Sequence, residues 1–384
     1  MLKLNSKLPN LGITIFTRMS QLANQTGAIN LSQGFPDFDG PFALREAAAQ
    51  FTLQGHNQYA PMIGIAALRD QVAKKIKFFY NKNLDENNEL TITPGATQAI
   101  FCAIQATVHT GEEVIVFDPC YDCYEPAIHL AGGHCVHIPL TLPNFTIDWQ
   151  HLTDAINPKT RLIILNNPHN PSGTILSASD LAQLADLIKD KAIFLIADEV
   201  YEHLVYDQTT HHSLLKNAEL FAKSFVISSF GKSFHVTGWK VGYVAAPPVL
   251  TNEFRKIHQY VSFSTTTPLQ FALADFMAKY PNHLIELADF YQQKRDLFCN
   301  LLTASKFSFS AAQGTYFQLL DYSKIKPHAN DLQMVDWLAK EHGIAAIPIS
   351  VFYETAPSSL RFIRLCFAKQ DSTLRQAAER LCAI

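Results

Sequence analysis

The chain is 384 residues long, and at roughly 150 residues per domain that length predicts about two to three domains. With 48% hydrophobic and 17% charged residues, the composition builds a core and excludes a disordered chain. Lys and Arg (31) nearly balance Asp and Glu (34), leaving a formal charge of −3; this argues against nucleic-acid binding, which needs a concentrated basic surface.

The opening Met1-Leu-Lys-Leu-Asn-Ser-Lys-Leu-Pro-Asn10 is too polar for a signal peptide, and no stretch reaches the ~20 apolar residues of a membrane span. The lack of such a stretch predicts no membrane partner, and seven cysteines, an odd number in a long chain, predict reduced thiols and a cytoplasmic setting. Thr93-Pro-Gly-Ala-Thr-Gln-Ala-Ile100 opens an apolar helix whose first amides, around Ala96 and Thr97, suit a phosphate. Short β-branched runs follow over residues 113–118, 161–166, 192–198 and 224–229. They do not alternate, as expected of strands covered on both faces. Helical patterns such as residues 179–188 separate several of them, which predicts an α/β fold with a mostly parallel central sheet flanked by helices. Such sheets bind ligands at the carboxyl ends of their strands, where Asp118, Asn166, Asp198 and Ser229 fall. After about residue 275, a helix over 284–302 and short strands around 316–320 and 361–367 predict a smaller α+β domain. The expected division is a large domain of residues 36–274 and a small one built from 1–35 and 275–384.

Chemistry concentrates in a few segments. In Ser229-Phe-Gly-Lys232-Ser-Phe-His-Val-Thr-Gly-Trp-Lys240, Gly231 permits a sharp turn that aims Lys232 over the sheet. A lysine that is desolvated or near other cations becomes a nucleophilic amine able to condense with an aldehyde. Ser229 and Lys240 add phosphate donors. Asp198 suits either a cap or a buried partner for a protonated ring nitrogen, and Tyr201 falls close enough to share its cleft. Asn166-Asn-Pro-His-Asn-Pro-Ser-Gly173 is a stiff turn that can present the Asn170 amide. Arg361 and Arg364 lie on opposite faces of a strand, so one of them can grip a carboxylate in a bidentate fork. Cys120-Tyr-Asp-Cys123 lacks a second Cys/His pair and reads as incidental thiols; no metal is expected. His211-His212 reads as an exposed loop pair. Neither G-x-G-x-x-G nor G-x-S-x-G occurs, which argues against a dinucleotide enzyme or an α/β-hydrolase.

Together, Tyr59-Ala-Pro, Thr93-Pro-Gly-Ala-Thr97, His169-Asn-Pro-Ser-Gly173, Ala197-Asp-Glu-Val-Tyr201, Ser229-Phe-Gly-Lys232, Gly238-Trp-Lys-Val-Gly242 and Arg364 resemble, in order, the class I aminotransferases of fold type I. Leu31-Ser-Gln-Gly-Phe-Pro-Asp-Phe-Asp-Gly40, Asn57-Gln-Tyr-Ala-Pro61 and Ala346-Ile-Pro-Ile-Ser-Val-Phe352 narrow the likeness to bacterial methionine aminotransferases and the related kynurenine and glutamine transaminases. The resemblance implies pyridoxal 5′-phosphate as cofactor. Lys232 is then the covalent tether and proton shuttle, Asp198 the partner of the pyridine nitrogen, and Tyr201 and Asn170 the contacts of the ring oxygen. Tyr121 stands where relatives stack Phe or Trp on the ring. Ala96, Thr97, Ser229 and Lys240 make the phosphate site, with lysine at 240 where arginine is common. Tyr59 reaches the phosphate from the neighbouring subunit, so a homodimer is implied. Arg364 anchors the substrate α-carboxylate, leaving Arg361 at the surface; the Gly34 backbone approaches the substrate, and Phe16 and the partner subunit's Phe263 line the side-chain pocket.

The implied reaction is ping-pong transfer of the α-amino group of methionine and other apolar or aromatic amino acids to a 2-oxo acid. A carbon–sulfur β-lyase on the same fold is the alternative, marked by pyruvate and ammonia released without an acceptor. A cofactor-binding regulator would carry a DNA-binding domain, and the chain shows no basic patch.

Overall fold

The computed structural model describes residues 4–384. The first three residues of the expected small domain lie outside that range. In chain order the strands are β1 (Ile29–Asn30), β2 (Leu90–Thr93), β3 (Glu113–Asp118), β4 (His134–Pro139), β5 (Thr160–Asn166) and β6 (Phe194–Asp198). They continue with β7 (Ser224–Ser229), β8 (Gly242–Ala245), β9 (Phe317–Asp321), β10 (Ile344–Ala345), β11 (Ile347–Pro348) and β12 (Phe362–Cys366).

Seven strands form one sheet in the order β2-β8-β7-β6-β5-β3-β4. Only β8 runs against its neighbours; the remaining pairings are parallel, as the unalternating apolar runs predict. Side chains of one strand divide between two cores. Val114 and Val116 of β3 pack with Ile100, Ala103 and Ile104 of the helix Ala96–Thr107. Ile115 and Phe117 face the opposite way, into the core that contains Leu68, Val72 and Ile76 of the helix Ala66–Tyr80. Each fully buried Val, Leu or Ile contributes about 1.5–3 kcal/mol, so a charge on either face of β3 would be strongly destabilising.

A second sheet, β11-β12-β9, is antiparallel. β1 pairs in parallel with β10, which joins the N-terminal segment to the C-terminal one. The helix Thr267–Lys279 runs unbroken through residue 275. Among the described residues no helix is long and apolar enough to cross a membrane.

Register gathers the chemistry. Asn166 of β5 is paired with Asp198 of β6, while Gly242 of β8 lies opposite both Ser229 of β7 and Thr93 of β2. The strand ends therefore form one row along the sheet's carboxyl edge.

Candidate active site

That edge forms the floor of a cavity of about 350 Å³ whose lining includes Gly34, Ala96, Thr97, Tyr121, Asn170, Asp198, Tyr201, Ser229, Lys232, Lys240, Phe16 and Arg364. Lys232 sits in the single-turn helix Phe230–Ser233 that follows β7 directly. Gly231 is required for space rather than for backbone freedom, because a Cβ there would lie 2.9 Å from Thr237 Cα. Lys232 Nζ donates to Tyr316 Oη at 2.9 Å and to the Gly34 carbonyl at 3.2 Å. Burial pulls this amine from its ordinary 10.5 down to about 8, and the Lys240 and Arg364 cations act in the same direction.

Asp198 ends β6 and is 4% exposed. Tyr124 Oη donates to its Oδ2 at 2.6 Å and the Val200 amide to its Oδ1 at 3.4 Å. Both donors are neutral, and burial raises the carboxyl from 3.8 to about 6. Asp118, at the end of β3, is otherwise engaged: it holds His137 Nδ1 at 2.8 Å and the Glu354 amide at 2.9 Å. Asn166 supports its neighbours, donating from Nδ2 to the Asp198 carbonyl (2.9 Å) and accepting the Asn170 amide at Oδ1 (2.7 Å).

At the other end of the cavity the helix Ala96–Thr107 begins after Gly95, whose φ is 79°, and no side chain caps it. Lys240 adopts the left-handed φ of 53°, uncommon outside glycine. A Cβ on Gly95 would stand 3.3 Å from Lys240 Cε and 3.4 Å from its Nζ. The lysine cation thus lies beside an uncapped helix N-terminus, the arrangement that binds an anion.

Arg364, on β12, is 1% exposed. Its Nη1 donates to Asn170 Oδ1 at 2.8 Å and its Nη2 to the Ser32 carbonyl at 3.1 Å, while its Nε is buried without a partner. The guanidinium lies 3.9 Å from the Phe317 ring centroid and 5.5 Å from that of Phe16. Arg361 donates to Pro327, Ser358 and Leu360 carbonyls outside the cavity.

These residues fit a ligand carrying a phosphate, a cationic ring nitrogen and an aldehyde. Asp198 is a buried anion with only neutral donors, Lys232 a buried amine of depressed basicity, and the helix terminus an open anion seat. The free Nε of Arg364 leaves room for a carboxylate nearby.

Two expected residues stay outside. Tyr59 is 84% exposed and meets Phe263 edge-on at 5.3 Å, and neither lines the cavity of this chain. The expected exposed pair His211-His212 is corrected by the fold: His211 is buried, its Nε2 3.1 Å from the buried Glu199 carboxylate, because that charge needs a partner. Cys120 and Cys123 are both free, and burial pushes both thiols up. Sequence reasoning missed Tyr124 and Tyr316. Tyr124 directly follows Cys120-Tyr-Asp-Cys123 and stands three residues after Tyr121, a usable signal; Tyr316 precedes β9 with no local mark.

The aminotransferase class I and II family matches residues 26–381. The chain is 50% identical over 376 residues to the methionine aminotransferase of Escherichia coli (strain K12), covering 98% of this chain and 97% of the relative. It is 33% identical to the Homo sapiens kynurenine–oxoglutarate transaminase 3, covering 97% and 88% of the two chains. A crystal structure of an Escherichia coli protein, described with a methionine aminotransferase function, matches at a TM-score of 0.98 and 50% identity, with 100% of both chains covered.

Proposed function

The chain belongs to the class I and II aminotransferases, and from that premise we propose that it moves the α-amino group of methionine and other apolar or aromatic amino acids to a 2-oxo acid, in sites shared by two subunits. It is a pyridoxal 5′-phosphate-dependent enzyme of fold type I. When bound, that cofactor supplies an aldehyde for the amine and a cationic ring that accepts the electron pair released at the substrate Cα.

Lys232 would tether the group and, as a free amine, would take the substrate Cα proton on Nζ and pass it to the cofactor's aldehyde carbon. Its depressed basicity matters for this role: at about 8, roughly a tenth of the amine is neutral at pH 7, against about one part in three thousand at 10.5. Asp198 keeps the ring nitrogen protonated, Tyr201 and Asn170 hold the ring oxygen, and Tyr121 covers the ring face. Ala96, Thr97, Ser229 and Lys240 seat the phosphate. Arg364 receives the α-carboxylate beside the Gly34 backbone.

Substrate class rests on the pocket's walls. Phe16, Phe35 and Phe317 line it, and Arg364 is the sole guanidinium among the described lining residues, so a thioether or aromatic side chain is favoured over a second carboxylate. Exposed Tyr59 and Phe263, turned outward together, support a dimer in which each completes the other subunit's site. The pairing of β1 with β10 supports grouping residues 1–35 with the C-terminal segment in one small domain. The free state of all seven cysteines supports a reducing, cytoplasmic setting.

The observation that carries the reading is the buried Lys232 amine sharing one cavity with the buried Asp198 carboxylate and the uncapped helix start. Borohydride treatment should fix the cofactor on the peptide containing Lys232, and Lys232→Ala should lose both the adduct and methionine-dependent transamination. Full turnover in that variant would refute the assignment.

A further inference from the structure

Tyr316 lies beyond the residues assigned above, yet its oxygen is 2.9 Å from Lys232 Nζ. The side chain is fully buried, and burial holds its phenol far above the usual 10, so the group stays protonated. Its O–H is committed to the Gly34 carbonyl. The oxygen therefore faces Lys232 as an acceptor, and Gly34 O, with its second lone pair, accepts from the same amine at 3.2 Å.

We propose that Tyr316 and the Gly34 carbonyl form a two-acceptor rest for the free Lys232 amine, which engages both of its N–H bonds and leaves its lone pair directed at the substrate Cα. Tyr316 is thus a positioning residue for the proton transfer; this rests on the reading of Lys232 as the base. A neutral primary amine has two N–H bonds and one lone pair. With both hydrogens held, rotation about Cε–Nζ is restricted and the lone pair is set. In the transfer the Cα–H bond breaks heterolytically: the proton goes to Nζ, the electron pair is left for the cofactor's cationic ring to take up, and Nζ, now an ammonium, would hand that proton on to the cofactor's former aldehyde carbon. Tyr201, whose ring meets that of Tyr316 edge-on at 5.2 Å, fixes the tyrosine from the side.

Tyr316→Phe in the holoenzyme removes one oxygen and keeps the ring. The expected result is a kcat lowered about 10–100-fold with KM for methionine within about twofold, and a larger primary isotope effect with Cα-deuterated methionine. In cofactor-free protein, labelling of Lys232 by trinitrobenzenesulfonate should titrate at lower pH than in the parent, because losing an acceptor disfavours the ammonium. An unchanged isotope effect and labelling profile would overturn the inference. Should the phenylalanine variant not fold, 3,5-difluorotyrosine placed at 316, a weaker acceptor of nearly equal shape, should shift both readouts in the same directions, and no shift would overturn it. Peptide mapping of the borohydride-fixed cofactor separates the two levels: an adduct elsewhere than Lys232 defeats the underlying reading, whereas an adduct on Lys232 with unmoved isotope effect defeats only the role of Tyr316.

Discussion

Tyr124 Oη donates a 2.6 Å hydrogen bond to Asp198 Oδ2, the shorter of the two hydrogen bonds on that buried carboxylate. Burial raises that carboxyl to about 6, and the Tyr124 bond opposes the rise. A hydrogen bond to a charged group is worth about 1.5–3 kcal/mol, so Tyr124→Phe should weaken cofactor binding roughly tenfold or more. The loss should be greatest near pH 6–7, where the unassisted carboxyl gains a proton, and should narrow by pH 8.5. Equilibrium titration of cofactor-free protein across that range measures it; a pH-independent loss would make the hydroxyl a packing group only.

The same carboxylate burdens the cofactor-free protein. Its folded pKa of about 6 lies above the ordinary 3.8, so the proton is bound more tightly by the folded state. Stability from this group is therefore fully present below 3.8 and lost as pH rises through about 6, by up to about 3 kcal/mol. Lys232 behaves oppositely: its folded value of about 8 lies below 10.5, so its contribution returns as pH rises from 8 to 10.5. Between them lies a minimum near neutral pH. Asp198→Asn should melt higher than the parent without cofactor at pH 7.5, by about 1–3 kcal/mol, and lower than the parent when both are cofactor-loaded. Thermal melts of the four states test this, and an equal or lower melt of the cofactor-free variant would contradict it.

Much of this site was legible because it sits where local pattern and chemistry coincide. Asp198 and Ser229 end unalternating apolar runs, and Lys232 follows one of them by three residues, so sequence alone placed them on the sheet's carboxyl edge. Arg364 was separable from Arg361 only by resemblance; the fold supplies the reason, since Arg364 on β12 reaches Asn170 at the cavity, whereas Arg361, just before β12, donates to the carbonyls of Pro327, Ser358 and Leu360. Tyr316 was invisible. Its partners Gly34 and Lys232 lie 282 and 84 residues away in sequence, and contacts of that separation leave no periodic trace. His211 was misread because a loop histidine beside a second histidine looks solvated, and only the buried Glu199 explains why it is not.

Arg364 and Phe16 should divide affinity from selectivity. Arg364→Ala removes the carboxylate fork and strands the Asn170 and Ser32 acceptors, so kcat/KM should fall about 100–1000-fold for every amino donor alike. Phe16→Ala opens one wall of the side-chain pocket, at about 1–3 kcal/mol for substrates that fill it, and should demote methionine and phenylalanine while sparing alanine. Steady-state kinetics with a panel of donors reads both, and an exchange of the two patterns would exchange the roles.

Gly242 offers a test of the anion seat that removes no polar group. A Cβ there would lie 2.7 Å from the Ser228 carbonyl, 3.1 Å from Gly95 C and 3.2 Å from the Ala96 amide nitrogen, all backbone atoms. β8 cannot slide away, because it is paired on one side to β2 and on the other to β7. The freer element is the turn at Gly95, so the methyl should push the first amides of the helix Ala96–Thr107 away from Lys240. Overpacking of this kind costs about 1–3 kcal/mol, and the anion seat should give before the sheet does. Gly242→Ala should therefore fold with a melting point lowered by only a few degrees while binding the cofactor at least tenfold more weakly. Competition by inorganic phosphate in cofactor-free protein should weaken in parallel, and retention of parental phosphate affinity would place the anion elsewhere.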